Sequence, residues 1–117
     1  MTKEDKELLL KDLCARLPYG VKMNVHHYYE DNDDGIITLD VFWLYDIQIG
    51  SKWEIKPYLR PMSSMTEEEW KEYLNLAPFT NGWFAVMDWL NARHFDYRGL
   101  IEKGLALEAP EGMYKND

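Results

Sequence analysis

The apolar residues of this chain change their spacing twice, and that double change limits the fold more than any single motif does. Leu9, Leu10, Leu13, Cys14 and Leu17 recur at helical spacing. Thr2 can cap that helix, and Asp5 puts a carboxylate in the first turn, where it suits the helix dipole. Pro18-Tyr19-Gly20 stops it. From Val21 the period is two: Val21, Met23, Val25, His27 and Tyr29 point one way, Lys22, Asn24, His26 and Tyr28 the other. A second strand follows, with Ile37, Leu39, Val41, Trp43 and Tyr45 sharing a face. Phe42 and Leu44 make its later half apolar on both sides. Trp53 and Ile55 alternate with Lys52, Glu54 and Lys56 in a third, shorter strand. Pro57 and Pro61 then hold residues 56–62 in an extended crossing, because proline lacks the N–H that a sheet interior uses.

The second half returns to helical spacing. Thr66-Glu67-Glu68-Glu69 is a capping box, with Met65 and Trp70 placed as a hydrophobic staple, and its helix stops before Pro78. Asn81 or Thr80 can cap the next, in which Trp83, Phe84, Val86, Met87, Trp89 and Leu90 are apolar nearly all round. Asp96 is placed to cap a further short helix with Phe95 and Leu100 as its staple. Gly104 fits a left-handed C-terminal cap, with Leu105 closing back on Leu100. The expected fold is a single α+β domain over residues 1–117: an N-terminal helix, a three-stranded antiparallel meander and a helical C-terminal half. Residues 109–117 read as a loosely ordered tail. Trp43, Trp53, Trp83 and Leu90 are the expected centre of the core.

A chain of 117 residues with 15% aromatics has core material for one domain and is not a disordered tail. No apolar run is long enough to span a bilayer, and the charged start, Met1-Thr2-Lys3-Glu4-Asp5-Lys6, argues against a signal peptide. The single cysteine, Cys14, lies among leucines and reads as a buried thiol of a reducing compartment, hence a cytoplasmic protein. A net charge of −8 repels nucleic acid and anionic membrane. Its carboxylates are spread through helix starts and turns, whereas a mimic of DNA's phosphates would carry a denser array.

Glu30-Asp31-Asn32-Asp33-Asp34-Gly35 comes nearest to a chemical motif. Counted from Glu30 it matches a calcium loop through Gly35 and Ile37, but Val41 stands where the bidentate Glu belongs. It reads as a hairpin turn. His94-x-Asp96 has the spacing of two ligands of an iron facial triad, yet the third would have to come from His26 or His27 upstream, and Asp96 has a capping role. Ser63 and Ser64 flank a capping box, and neither a phosphate loop nor a nucleophile elbow occurs. The sequence therefore indicates no catalytic residue, metal or cofactor. The stiff strip 56–62 reads chiefly as a brace and secondarily as a recognition ribbon. Tyr28, Phe42, Tyr58 and Arg60 are the residues to test as an interaction surface, since exposed aromatics and arginine anchor interfaces.

Three blocks carry a resemblance: Leu9-Leu10-Lys11-Asp12-Leu13-Cys14-Ala15-Arg16-Leu17-Pro18-Tyr19-Gly20-Val21-Lys22, Lys56-Pro57-Tyr58-Leu59-Arg60-Pro61-Met62-Ser63-Ser64-Met65-Thr66-Glu67-Glu68, and His94-Phe95-Asp96-Tyr97-Arg98-Gly99-Leu100-Ile101-Glu102-Lys103-Gly104-Leu105-Ala106-Leu107. Together they resemble a family of small uncharacterised proteins encoded in prophages and other mobile elements of gut bacteria. The resemblance implies a genetic setting and supplies no functional residue. The expectation is a monomeric, non-enzymatic accessory protein of a mobile element that binds another protein. Its rival is a small metal-dependent enzyme or hydrolase using His27, His94 and nearby carboxylates.

Overall fold

The computed structural model describes residues 2–27, 35–50, 53–76 and 83–114, the side chain of Trp83 excepted. Among them four helices surround a four-stranded mixed sheet, so the α+β class expected from the sequence holds. Helix α1, Lys3–Arg16, starts on the expected cap: Thr2 Oγ1 accepts the Asp5 N–H at 3.0 Å. Its buried face is Leu9, Asp12, Leu13 and Arg16. At about 100° per residue, position 14 falls on the far side of that stripe. Cys14 is accordingly exposed, against the expectation of a buried thiol. A short 3-10 turn, Leu17–Tyr19, and Gly20 lead into the sheet.

Strand β1, Lys22–His27, buries Met23 and Val25. It pairs antiparallel with β2, Gly35–Thr38, on one side and with β3, Trp53–Leu59, on the other. The sheet order is β2-β1-β3-β4, with β4, Leu107–Glu108, parallel to β3. The expected meander would have put the second strand in the middle; the first strand is there instead.

The cause lies after Thr38. Residues expected to prolong the second strand form helix α2, Val41–Ile49. Asp40 accepts the Trp43 N–H at 3.3 Å, the side-chain cap that turns the chain out of extended geometry. Gly50, at φ 98°, closes the other end. Apolarity on both sides of residues 41–45, read as a doubly covered strand, belongs to a helix that is apolar around most of its girth. Trp43, Leu44 and Ile47 face the main core from it.

Strand β3 also runs further than expected, with Pro57 buried opposite Met23. Leu59 C=O accepts the Ala109 N–H at 2.8 Å on the β4 side. Alternation puts the Pro57 nitrogen on that same side, so its missing N–H costs no bond to β1. Beyond a 3-10 turn, Met62–Ser64, helix α3, Glu67–Leu76, carries the expected capping box: Glu69 N–H donates to Thr66 Oγ1 at 3.1 Å, and Thr66 N–H to Glu69 Oε1 at 3.0 Å. Helix α4, Trp83–Ala92, follows.

The short helix expected after Asp96 is a run of turns, since Gly99 at φ 73° breaks any helical path. The cap at Gly104 is present: Leu105 N–H reaches Leu100 C=O at 2.9 Å and Gly104 N–H reaches Ile101 C=O at 3.0 Å. Of residues 109–117, read above as a loose tail, 115–117 lie outside the described residues, and 109–114 are tied to the sheet at both ends: Ala109 N–H reaches Leu59 C=O at 2.8 Å, and the Tyr114 hydroxyl bonds Lys22 and Tyr58.

Two apolar clusters result. The larger joins Leu9, Leu13, Met23, Leu59 and Leu100 with α2, and the half-buried Trp43 and Trp53 pack on its margin. The smaller holds Val86, Leu90 and Phe95 against α3. Between them lies a buried polar knot. Asp12 accepts from Arg16 at 2.7 Å and from Arg98 at 3.1 Å, and Arg16 also donates to the Phe95 carbonyl at 2.6 Å.

Candidate functional site

Two places stand out. The first is the outer face of α2. Val41, Phe42, Tyr45 and Ile49 are each more than 60% exposed. Spacings of three and four residues put them on one stripe. The helix with its cap carries Asp40 and Asp46 and no lysine or arginine.

The second is a cleft where the end of β3, α3, α4 and the segment 109–114 meet. One lobe, about 470 Å³, is lined by Arg60, Glu69, Trp89, Arg93, His94 and Tyr114. A second lobe of about 850 Å³ shares Arg60, Glu69, Arg93 and Tyr114 and adds the carboxylates of Glu68, Glu72, Glu108 and Glu111.

Local chain chemistry fixes the inner wall. The end of α4 is a Schellman motif, with Phe95 N–H on Leu90 C=O at 3.0 Å and His94 N–H on Asn91 C=O at 3.1 Å. His94 fills its left-handed position at φ 64°, where glycine is usual. Its carbonyl accepts the Arg60 N–H at 2.8 Å, and its ring stacks on Tyr114 at 3.8 Å between centroids. The Tyr114 hydroxyl accepts the Lys22 N–H at 2.7 Å and donates to the Tyr58 carbonyl at 2.8 Å. It closes the β1–β3 ladder one step beyond the Met23–Pro57 pair.

Charges in the cleft are held in pairs. Arg60 makes a two-pronged pair with Glu69 at 2.7 and 2.6 Å and lies over the Phe95 ring at 4.2 Å. Glu69 is pulled down to about 2 by that bond to Arg60, with help from Thr66. Arg93 donates to Glu72 at 2.8 Å, while its Nε and the His94 Nδ1 are buried without a hydrogen-bond partner. Burial pushes His94 down to about 4, and the cations Arg16, Arg60 and Lys22 push the same way. The imidazole is therefore neutral near pH 7. Burial raises the Tyr114 phenol to about 12.

The residues singled out from sequence are scattered over this map. Phe42 stands on the α2 face. Tyr58 is half-buried in β3, and Arg60 lies in the cleft, held by Glu69. Tyr28 and residues 30–34 of the acidic turn lie outside the described residues, as does the Trp83 side chain. Asp96 spends both carboxylate oxygens on the backbone, accepting from Leu100 at 2.8 Å and Ile101 at 3.0 Å. Among the described residues no three His, Cys, Asp or Glu side chains could hold a metal ion. Sequence reading missed Arg93 and Tyr114, which match no motif. It saw Glu69 only as half of a capping box, whereas that side chain caps α3 and clamps Arg60 together. Comparison of the chain with family models, with curated proteins and with solved structures finds no match in any of the three.

Proposed function

We propose that this protein is a non-enzymatic accessory protein of a mobile element, a cytoplasmic monomer that docks a partner protein on the outer face of α2. The observation that carries the reading is the stripe of Val41, Phe42, Tyr45 and Ile49, turned to solvent while the opposite side of the same helix packs in the core. Exposed aromatics in a contiguous stripe are the usual anchors of an interface. A helix without lysine or arginine, within a chain of net charge −8, selects a partner whose apolar contact is rimmed by lysine or arginine. The genetic setting rests on the family resemblance of the three sequence blocks.

The enzymatic rival requires His27 and His94 to converge. His94 stacks on Tyr114, which is bonded at the Lys22 end of β1, and His27 is at the other end. At about 3.4 Å per residue those ends are roughly 17 Å apart.

The test is a photo-reactive residue at position 45, cross-linking in bacterial lysate, then binding of the purified cross-linked protein. Phe42→Asp should weaken that binding by about tenfold or more, leave the melting temperature unchanged, and the wild-type affinity should fall as salt rises. A partner that holds Phe42→Asp as tightly as wild type, or that proves to be a second copy of this chain, overturns the proposal.

A further inference from the structure

The two ends of the sheet are finished differently. At one end β4, Leu107–Glu108, is two residues long, carries a charge and has Pro110 close behind, so it offers little to an added strand. At the other end β2, Gly35–Thr38, has neither charge nor proline. The ladder shows which of its backbone groups are spare. Leu39 N–H bonds Val21 C=O at 2.9 Å, and the pairs Ile37–Met23 and Gly35–Val25 follow at steps of two. Residues 35, 37 and 39 therefore turn their N–H and C=O groups to β1, and Ile36 and Thr38 turn theirs outward. Among the described residues no strand lies beyond β2, and α2, which follows it, packs on α1. Ile36 and Thr38 are both exposed, Ile36 to 57%.

We infer that the outer edge of β2 takes an extended segment of a partner protein as a further strand, with a β-branched residue beside Ile36 and lysine or arginine at its ends. An added strand presents a donor and an acceptor at each outward position, the repeat that Ile36 and Thr38 leave unmatched. The β-branched residue follows from Ile36, whose side chain packs against its cross-strand neighbour on the same face. The charged ends follow from the surrounding chain. From Gly35 to Ser51 the sequence holds Asp40 and Asp46 and no lysine or arginine. Lys22, opposite Thr38 on β1, is one strand further in. A second copy pairing edge to edge sets two chains of net charge −8 side by side, which disfavours that occupant. The edge is short, so the contact at Ile36 and the charged ends contribute to affinity beside the backbone bonds. This site does not rest on the α2 stripe.

The first readout needs no ligand. Amide exchange in the free protein, followed by NMR, should be at least about tenfold faster at Ile36 and Thr38 than at Ile37, whose N–H faces β1. Random peptides displayed on phage are then selected against the whole chain, and those recovered are synthesised. They should carry alternating β-branched residues with lysine or arginine at the ends, and should slow exchange at Ile36 and Thr38 by about tenfold or more. N-methylation of the peptide amides that face β2 should cost about tenfold in affinity, and methylation of the alternate amides much less. Ile36→Lys, a change at an exposed side chain, should weaken binding about tenfold with an unchanged melting curve. Phe42→Asp should bind the same peptides as wild type does, which separates this edge from the α2 face. Slow exchange at Ile36 and Thr38 in the dilute free protein, no recovered peptide, or peptides that leave those amides exchanging freely overturn the inference. Protection that appears only as protein concentration rises assigns the edge to a second copy and overturns the partner strand.

Discussion

His94 carries several structural duties in one residue. A side chain at φ 64° costs on the order of 1 kcal/mol, and the cost is offset by the ring's stack on Tyr114 and the carbonyl's bond to Arg60. Its proton binding links the site to stability. The folded protein holds His94 at about 4 rather than 6.5, so the unfolded chain takes up the proton first. Stability from this residue is complete above about pH 6.5 and is lost as the pH falls toward 4. Glu69, held at about 2, adds a second loss between about pH 4.5 and 2. Melting temperatures measured from pH 8 to 3 should therefore be level, then fall from about pH 6.5, and His94→Asn should flatten the portion above pH 4.5. Tyr114→Phe keeps the ring and removes a hydroxyl shared by two strands. It should cost roughly 1–3 kcal/mol in urea unfolding. Neither role was legible in the sequence. A left-handed cap announces itself when glycine fills it, and histidine there invites a search for metal instead.

Helix α2 shows how an element can be misread at high apolarity. Alternation over residues 37–45 fits a strand, yet seven of the nine residues 41–49 are apolar or aromatic, so spacing carries little information there. The decisive signals are local: Asp40 just before the run and Gly50 just after it. Asp40→Ala should destabilise by about 1 kcal/mol through the lost cap. Gly50→Ala should cost a similar amount, about 1 kcal/mol, because a Cβ at φ 98° is strained even in open space. Both are read from the denaturation midpoint. Where such punctuation was unambiguous, at Thr2, Thr66 and Gly104, the expected caps are the ones observed. Pro57 misled in the opposite direction. Its nitrogen faces away from β1, and strand direction relative to neighbours is tertiary information.

At the scale of the whole molecule, the two apolar clusters meet at a charged knot rather than at a greasy seam. Asp12 is its hub, accepting from Arg16 and Arg98, and Tyr97 lies under both guanidinium groups at 5.2 and 5.0 Å. Removing the hub strands two cations, so Asp12→Ala should cost about 3–5 kcal/mol. Arg16→Met removes two bonds from Asp12 and the donor to Phe95 C=O but leaves Arg98 to balance the carboxylate, so it should cost less, about 1–3 kcal/mol. The order of those two losses in guanidinium unfolding is the test, and equal losses would mean that charge balance is not what holds the knot. Helices α1, α3 and α4 and the α+β class were legible because they rest on local spacing and caps. The sheet order, the knot and the cleft were not, because each joins residues far apart in sequence: Met23 with Pro57, Arg16 with Phe95, Arg60 with His94.

The Tyr114 hydroxyl also bears on how the protein is made. It lies 92 positions after Lys22, whose N–H it satisfies. A ribosome releases the chain from the N-terminus onward, and early segments begin to fold before later ones exist. Strands β1 and β3 can pair as soon as residue 59 is free, but their last rung must wait for residue 114. A nascent chain can thus pair β1 with β3 while that rung is still open, and the rung closes only after residue 114 has left the ribosome.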